Sequence, residues 1–188
     1  MGLRVIPPDI NSSGFEFTVR DESTLVYGLG AIKGVGEAAI QVLLGVRACG
    51  NFDSLDDLCL RLDSQKINRR TLEALIRAGA LDSIGPNRAT LMLRLPQAMS
   101  RAEQHLRDRD LGQTDMFGGA ASPDTGPEQI PVVPEWEQDS LLLAEKETLG
   151  LYLTGHPISR YEEELGQITG RRIADLLAEL EELAEGSG

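Results

Sequence analysis

The sequence predicts a mainly α protein that opens with a short β-hairpin and closes with a flexible, partly helical, acidic region. Three observations predict it. Hydrophobic residues form 41% of the 188-residue chain but aromatics only 4%, so a core must rest on Leu, Ile, Val and Ala, which suit packed helices. Between residues 28 and 107 apolar side chains recur at spacings of three and four. Between residues 112 and 138, Gly112, Gly118, Gly119, Pro123, Gly126, Pro127, Pro131 and Pro134 break any regular element.

Residues 1–27 carry Pro7-Pro8, an Asn11-Ser12-Ser13-Gly14 turn, and two alternating runs, Phe15 to Val19 and Thr24 to Leu29, separated by Asp21-Glu22; they predict a β-hairpin. Ile40, Leu43, Leu44 and Arg47 then mark a helix over about 37–48 that Gly50-Asn51 ends. Ser54, followed by Asp56 and Asp57 in a first turn, starts a short helix to about Leu62. Asn68 caps another, with Leu72, Leu75 and Ile76 on one face and Gly79 as its stop. A long helix runs from about Pro86 through Leu91, Leu95, Met99, Ala102 and Leu106, with a kink expected at Pro96. Beyond the linker, Ser140 to Leu149 reads as a helix, 150–157 as a turn-bearing stretch, and 171–185 as an acidic amphipathic helix. The domain organisation is therefore 1–27, 28–107, 108–138 and 139–188.

Charge is divided unevenly. Residues 1–100 contain eleven Lys and Arg against eleven Asp and Glu, whereas residues 101–188 contain seven against nineteen and hold the whole net charge of −12. A polyanion is excluded from the second part and tolerated by the first, where backbone amides and a few bases would carry the contact. No apolar run approaches the roughly 20 residues of a membrane span, and the start Met1-Gly2-Leu3-Arg4 has no signal-like segment, so no membrane partner and a cytoplasmic location are expected. Cys49 and Cys59 lack zinc-like spacing and read as reduced core residues.

The segment Lys33-Gly34-Val35-Gly36 directly precedes an amphipathic helix. Glycines there leave no Cβ between backbone and ligand, so successive N–H groups at a helix start can converge on one phosphate, with Lys33 as a nearby charge. A dinucleotide site would need a strand before the glycines and a second strand after the helix, and no second strand follows. A second helix-turn-helix unit, from residue 68 through Gly85, Asn87 and Arg88, repeats the arrangement.

The strings GLGAIKGVGEAAI (28–40), NRRTLEALIRAGALD (68–82) and GPNRATLM (85–92), with VIPPDINSSGFEFTV (5–19) and ETLGLYLTGHPI (147–158), resemble the tandem helix-hairpin-helix region of the alpha subunit of bacterial DNA polymerase III. The resemblance covers most of the chain, from the end of that family's fingers region to the approach to its OB-fold domain. It implies sequence-independent binding of duplex DNA, with Lys33, Gly34, Val35, Gly36, Gly85, Asn87 and Arg88 facing phosphates and Arg69 and Arg70 as secondary candidates. In the linker, Gln113-Thr114-Asp115-Met116-Phe117 places two large apolar residues in a polar stretch. It looks like the pentapeptide with which this family grips the sliding clamp, with Met116 where Leu is common. The resemblance further implies other replicase subunits as partners and magnesium for the polymerase as a whole, but no cofactor, metal site or catalytic residue in this segment.

His105 and His156 have no nucleophile or carboxylate constellation around them, and Asp56-Asp57 and Glu162-Glu163-Glu164 read as helix first turns or solvated faces. Two other readings compete. A helix-hairpin-helix repair glycosylase would use the same grip with an activated Asp, for which Asp53 and Asp56 are suitably spaced, but it would need aromatics to hold a flipped base, and these are scarce. Residues 101–188 alternatively serve as a protein-protein platform.

Overall fold

A computed structural model describes residues 3–62, 67–110 and 131–169. These form two compact units, residues 1–154 and 155–188.

The first unit opens with three short strands, β1 (Arg4–Ile6), β2 (Thr18–Asp21) and β3 (Thr24–Val26), in the order β1-β3-β2. β2 and β3 are the expected hairpin, antiparallel with an irregularity between Val19 and Asp21. β1, which the sequence did not announce, adds parallel to β3 in the register Arg4↔Thr24, Val5↔Leu25 and Ile6↔Val26. After a 3-10 turn at Leu29–Ala31, helices α1 (Glu37–Arg47), α2 (Leu55–Arg61), α3 (Arg69–Arg77), α4 (Arg88–Asp110) and α5 (Gln138–Leu149) make the chain mainly helical.

The caps act as the sequence suggests. The Ser54 hydroxyl accepts from Asp57 N at 3.1 Å, and the Asn68 side chain accepts from Thr71 N at 2.9 Å. Gly79, at φ 77°, turns the chain out of α3, a conformation that costs any residue with a Cβ. α4 continues through Pro96 to Asp110, roughly 34 Å at 1.5 Å per residue. It packs on α2 and α3. Their shared core contains Leu58, Leu75, Ile76, Leu81, Leu91 and Leu95, all essentially closed to water.

The N-terminal segment is tied to these helices by specific polar contacts. Arg47 Nη1 donates to the carbonyls of Ile10 at 2.8 Å and Ser13 at 2.7 Å, and Asn11 exchanges hydrogen bonds with both backbone groups of Phe52. In the second unit, His156 Nδ1 accepts from Ile158 N at the head of a 3-10 turn (Pro157–Tyr161), and α6 (Glu162–Thr169) carries Glu162, Glu163 and Glu164 in its first turn. The acidic helix expected over 171–185 lies outside the described residues.

The cysteine expectation needs correcting at one position: Cys59 is buried on α2, but Cys49 is exposed just past α1. Burial, with a smaller push from Asp56, raises the Cys59 thiol to about 12. One thiol of the folded chain is therefore expected to react promptly with a disulfide reagent at neutral pH and the second only on unfolding. Two fast-reacting thiols would contradict the packing of α2. Among the described residues no helix is long and apolar enough to cross a membrane.

Candidate nucleic-acid interface

Two loops that each feed a helix N-terminus define the candidate site. The first runs from Lys33 to Gly36 into α1. Its base is fixed: Leu29 and Ile32 are buried, Leu29 N donates to Gly14 O at 2.9 Å, Gly30 N to Phe15 O at 2.8 Å, and Lys33 N to Thr148 O on α5 at 2.9 Å. Its tip is open, with Lys33, Gly34 and Gly36 exposed and Val35 half-buried against the core.

At this tip the two glycines have different reasons. Gly34 sits at φ 88°, which only glycine adopts cheaply, and packs toward the Ala74 side chain on α3. Gly36 sits at φ −80° and ψ 150°, ordinary for any residue, and a Cβ added there would meet nothing within 4 Å. Neither strain nor packing explains glycine at 36. What the missing side chain does leave is access to the amides around it. No described residue accepts a hydrogen bond from the N–H groups of Gly34, Gly36, Glu37 or Ala38, and Gly36 offers α1 no side-chain cap. The start of an eleven-residue helix, with its positive dipole end, is thus left open on the surface.

Arg70 is exposed one turn before Ala74 on α3, on the face that meets the Gly34 turn. Arg69, also exposed, is paired with Glu73 at 2.7 Å, and Arg77 at the end of α3 is paired with Glu147 on α5. Lys33 and the open amides thus share one turn, Lys33 Nζ lies close to Gly150 at the end of α5, and Arg70 stands one helical turn from the Ala74 contact.

The second loop, Gly85 to Arg88, is built differently from the expectation. Gly85 is where it is because a Cβ would come within 2.5 Å of the Leu91 side chain. Arg88 does not face outward: it is 4% exposed, bonds Asp82 at 2.9 Å, and reaches Glu145 on α5, itself 1% exposed, at 3.2 Å. Burial pulls its pKa down, but the hydrogen bonds and charges of Asp82 and Glu145 outweigh that and hold it above the ordinary arginine value. The side chain is a structural cation, and the phosphate-facing role expected of it is withdrawn. Asn87 caps α4 through Thr90 N at 2.8 Å and donates to Val133 O at 2.8 Å. The α4 amides themselves are filled by the Glu135 carboxylate.

Glu135 and Glu145 were not visible as site residues in the sequence. Glu135 stands in a Pro-rich run read as free linker, yet residues 131–137 form a strap bonded to the start of α4. Glu145 binds four groups: Arg88, the amides of Leu153 and Thr154 at 3.0 and 3.1 Å, and the Thr154 hydroxyl at 2.9 Å. With Thr148 receiving Lys33 N, one turn of α5 clasps both loops. Residues 113–117 lie outside the described residues. Among the described residues no group of three or more His, Cys, Asp and Glu is placed to hold a metal ion.

A family described as a helix-hairpin-helix motif matches residues 2–91. DNA polymerase III subunit alpha of Haemophilus influenzae is 47% identical over 178 residues, that of Escherichia coli K12 is 47% identical over 182, and that of Pseudomonas aeruginosa is 46% identical over 194. Each alignment covers 94% of this chain, but the chain spans only 15 to 16% of those relatives.

Proposed function

From the premise that this chain is homologous, over nearly its whole length, to one stretch of the alpha subunit of DNA polymerase III and carries a helix-hairpin-helix motif, we propose that it binds duplex DNA through phosphate contacts and tethers a replicative polymerase to a sliding clamp. The observation that carries the DNA part is the open start of α1, where a glycine with no folding reason exposes unfilled amides beside Lys33 and Arg70. Backbone N–H groups and point charges meet phosphate oxygens and not base edges, so they fix a duplex without reading its sequence. The clamp part rests on Gln113-Thr114-Asp115-Met116-Phe117. A short peptide that sets two apolar side chains in pockets and hydrogen-bonds through Gln releases easily, which suits a tether on a moving enzyme.

For the longer protein we propose DNA-directed DNA polymerase activity, magnesium use, other replicase subunits as partners and a cytoplasmic location, and assign no catalytic residue to this chain. The neutral first part and acidic second part fit this division of labour, with DNA on residues 1–100 and protein contacts beyond.

Two duplexes of unrelated sequence are expected to bind with Kd values within about twofold of each other, on the order of 1–100 µM at physiological salt, and to weaken steeply as salt rises. Strong discrimination between them would refute backbone-only contact. Met116→Ala/Phe117→Ala is expected to weaken binding to a purified bacterial sliding clamp by at least about tenfold and to leave duplex affinity unchanged. Equal clamp binding by wild type and double variant would remove the tether.

A further inference from the structure

At the start of α4 the chain places its own anion on the amides of the second hairpin. Glu135 Oε2 accepts from Arg88 N and Oε1 from Ala89 N, both at 2.9 Å. Two adjacent first-turn amides holding the two oxygens of one carboxylate is the arrangement in which a helix start holds two oxygens of a phosphodiester. The seat is shown by its occupant.

The strap that delivers Glu135 is held in register. Val133 O accepts from Asn87 Nδ2 at 2.8 Å and from Thr90 Oγ1 at 3.3 Å, and Val133 N donates back to Thr90 Oγ1 at 3.1 Å. Trp136, next to Glu135, is half-buried and packs against the core. Burial pushes the Glu135 carboxyl up, but the amides of Trp136, Arg88 and Ala89 and the charge of Arg88 outweigh it and hold it below the usual range, so it is an anion at neutral pH.

We infer that residues 131–137 are an internal competitor for DNA at the second hairpin: Glu135 stands in for a backbone phosphate, and a duplex engages this hairpin only by lifting the strap off α4. The inference rests on the proposed reading of the hairpins as phosphate grips and adds an order of events. The first hairpin, whose amides are open, engages first. The second engages by exchanging one anion for another on the same two amides. Segment 131–137 is released in that exchange.

The test uses the full chain, a labelled duplex and the single tryptophan as a reporter. Glu135→Gln keeps the size and one acceptor of the side chain but loses its charge. It is expected to bind duplex roughly three- to tenfold tighter than wild type, because the two amides no longer have to give up a charged carboxylate before they meet a phosphate. In the unaltered chain, saturating duplex is expected to shift Trp136 emission to the red as the strap leaves. Unchanged or weaker binding by Glu135→Gln, including no binding by either protein, overturns the inference, as does Trp136 emission that stays constant at duplex saturation. A Gly36→Ala variant separates the two ideas. If it weakens binding while Glu135→Gln changes nothing, the first hairpin survives and the competitor does not. If Glu135→Gln tightens binding while Gly36→Ala is neutral, the competitor survives and the first hairpin does not.

Discussion

Glu145→Ala is expected to destabilise the first unit by roughly 3–5 kcal/mol, the largest effect of any single polar substitution among the described residues, because it breaks a buried ion pair from one side. Arg88 would keep Asp82, whose side chain is about half exposed, as its charged partner and the carbonyl of Arg77 at 3.4 Å, while its own side chain stays 5% exposed in a site shaped for two carboxylates. The amides of Leu153 and Thr154 would lose their acceptor in the same step. Glu145→Gln, which keeps an acceptor and loses the charge, is expected to cost less. Urea unfolding read as a midpoint shift at constant slope measures both. A loss below about 1 kcal/mol for Glu145→Ala would mean that water reaches Arg88 and that α5 does not fasten the second hairpin.

The second large effect is on binding. Gly36→Ala is expected to weaken duplex affinity by about tenfold, roughly 1.4 kcal/mol, while the fold stays intact. The backbone at 36 already has dihedrals that alanine accepts, and the added methyl meets no protein atom, so the native state gains no strain. Gly28 shows the contrary case: a Cβ there would lie 2.4 Å from the carbonyl carbon of Glu16, so that glycine is demanded by packing. A substitution that costs binding without costing stability identifies a position kept small for something outside the chain. The methyl at 36 would stand between a phosphate oxygen and the amides of Gly36, Glu37 and Ala38, which are the groups left without acceptors.

What the sequence made legible was local. Ser54, Asn68 and Gly79 announced helix ends because a cap acts over three or four residues, and Leu72, Leu75 and Ile76 announced a buried face because helical period is local too. β1 went unseen because three residues before Pro7-Pro8 carry no alternation, and its partner β3 lies twenty residues on. Gly34 and Gly36 look alike in the sequence, and only the backbone separates them: of the two, Gly34 alone takes a positive φ. The partners of Arg88 and Asn87 went unseen because they lie far along the chain: Glu145 is 57 residues from Arg88, and Val133 is 46 from Asn87. A string that resembles a known hairpin names the hairpin but does not say which way its cation points. Glu135 was hidden by composition, since a Pro-rich run reads as linker whether or not it docks.

The most direct test of the phosphate grip is equilibrium binding of a labelled duplex about two helical turns long to wild type, Gly36→Ala and Gly45→Ala, measured in parallel across a salt series with circular dichroism as the fold control. Gly45 lies inside α1 with equally open space around it, so its alanine variant carries the same added methyl away from the helix start. The account predicts weaker binding and a shallower salt slope for Gly36→Ala alone, with all three proteins equally helical. Equal affinity for Gly36→Ala and Gly45→Ala would place the duplex elsewhere on the chain and contradict the account.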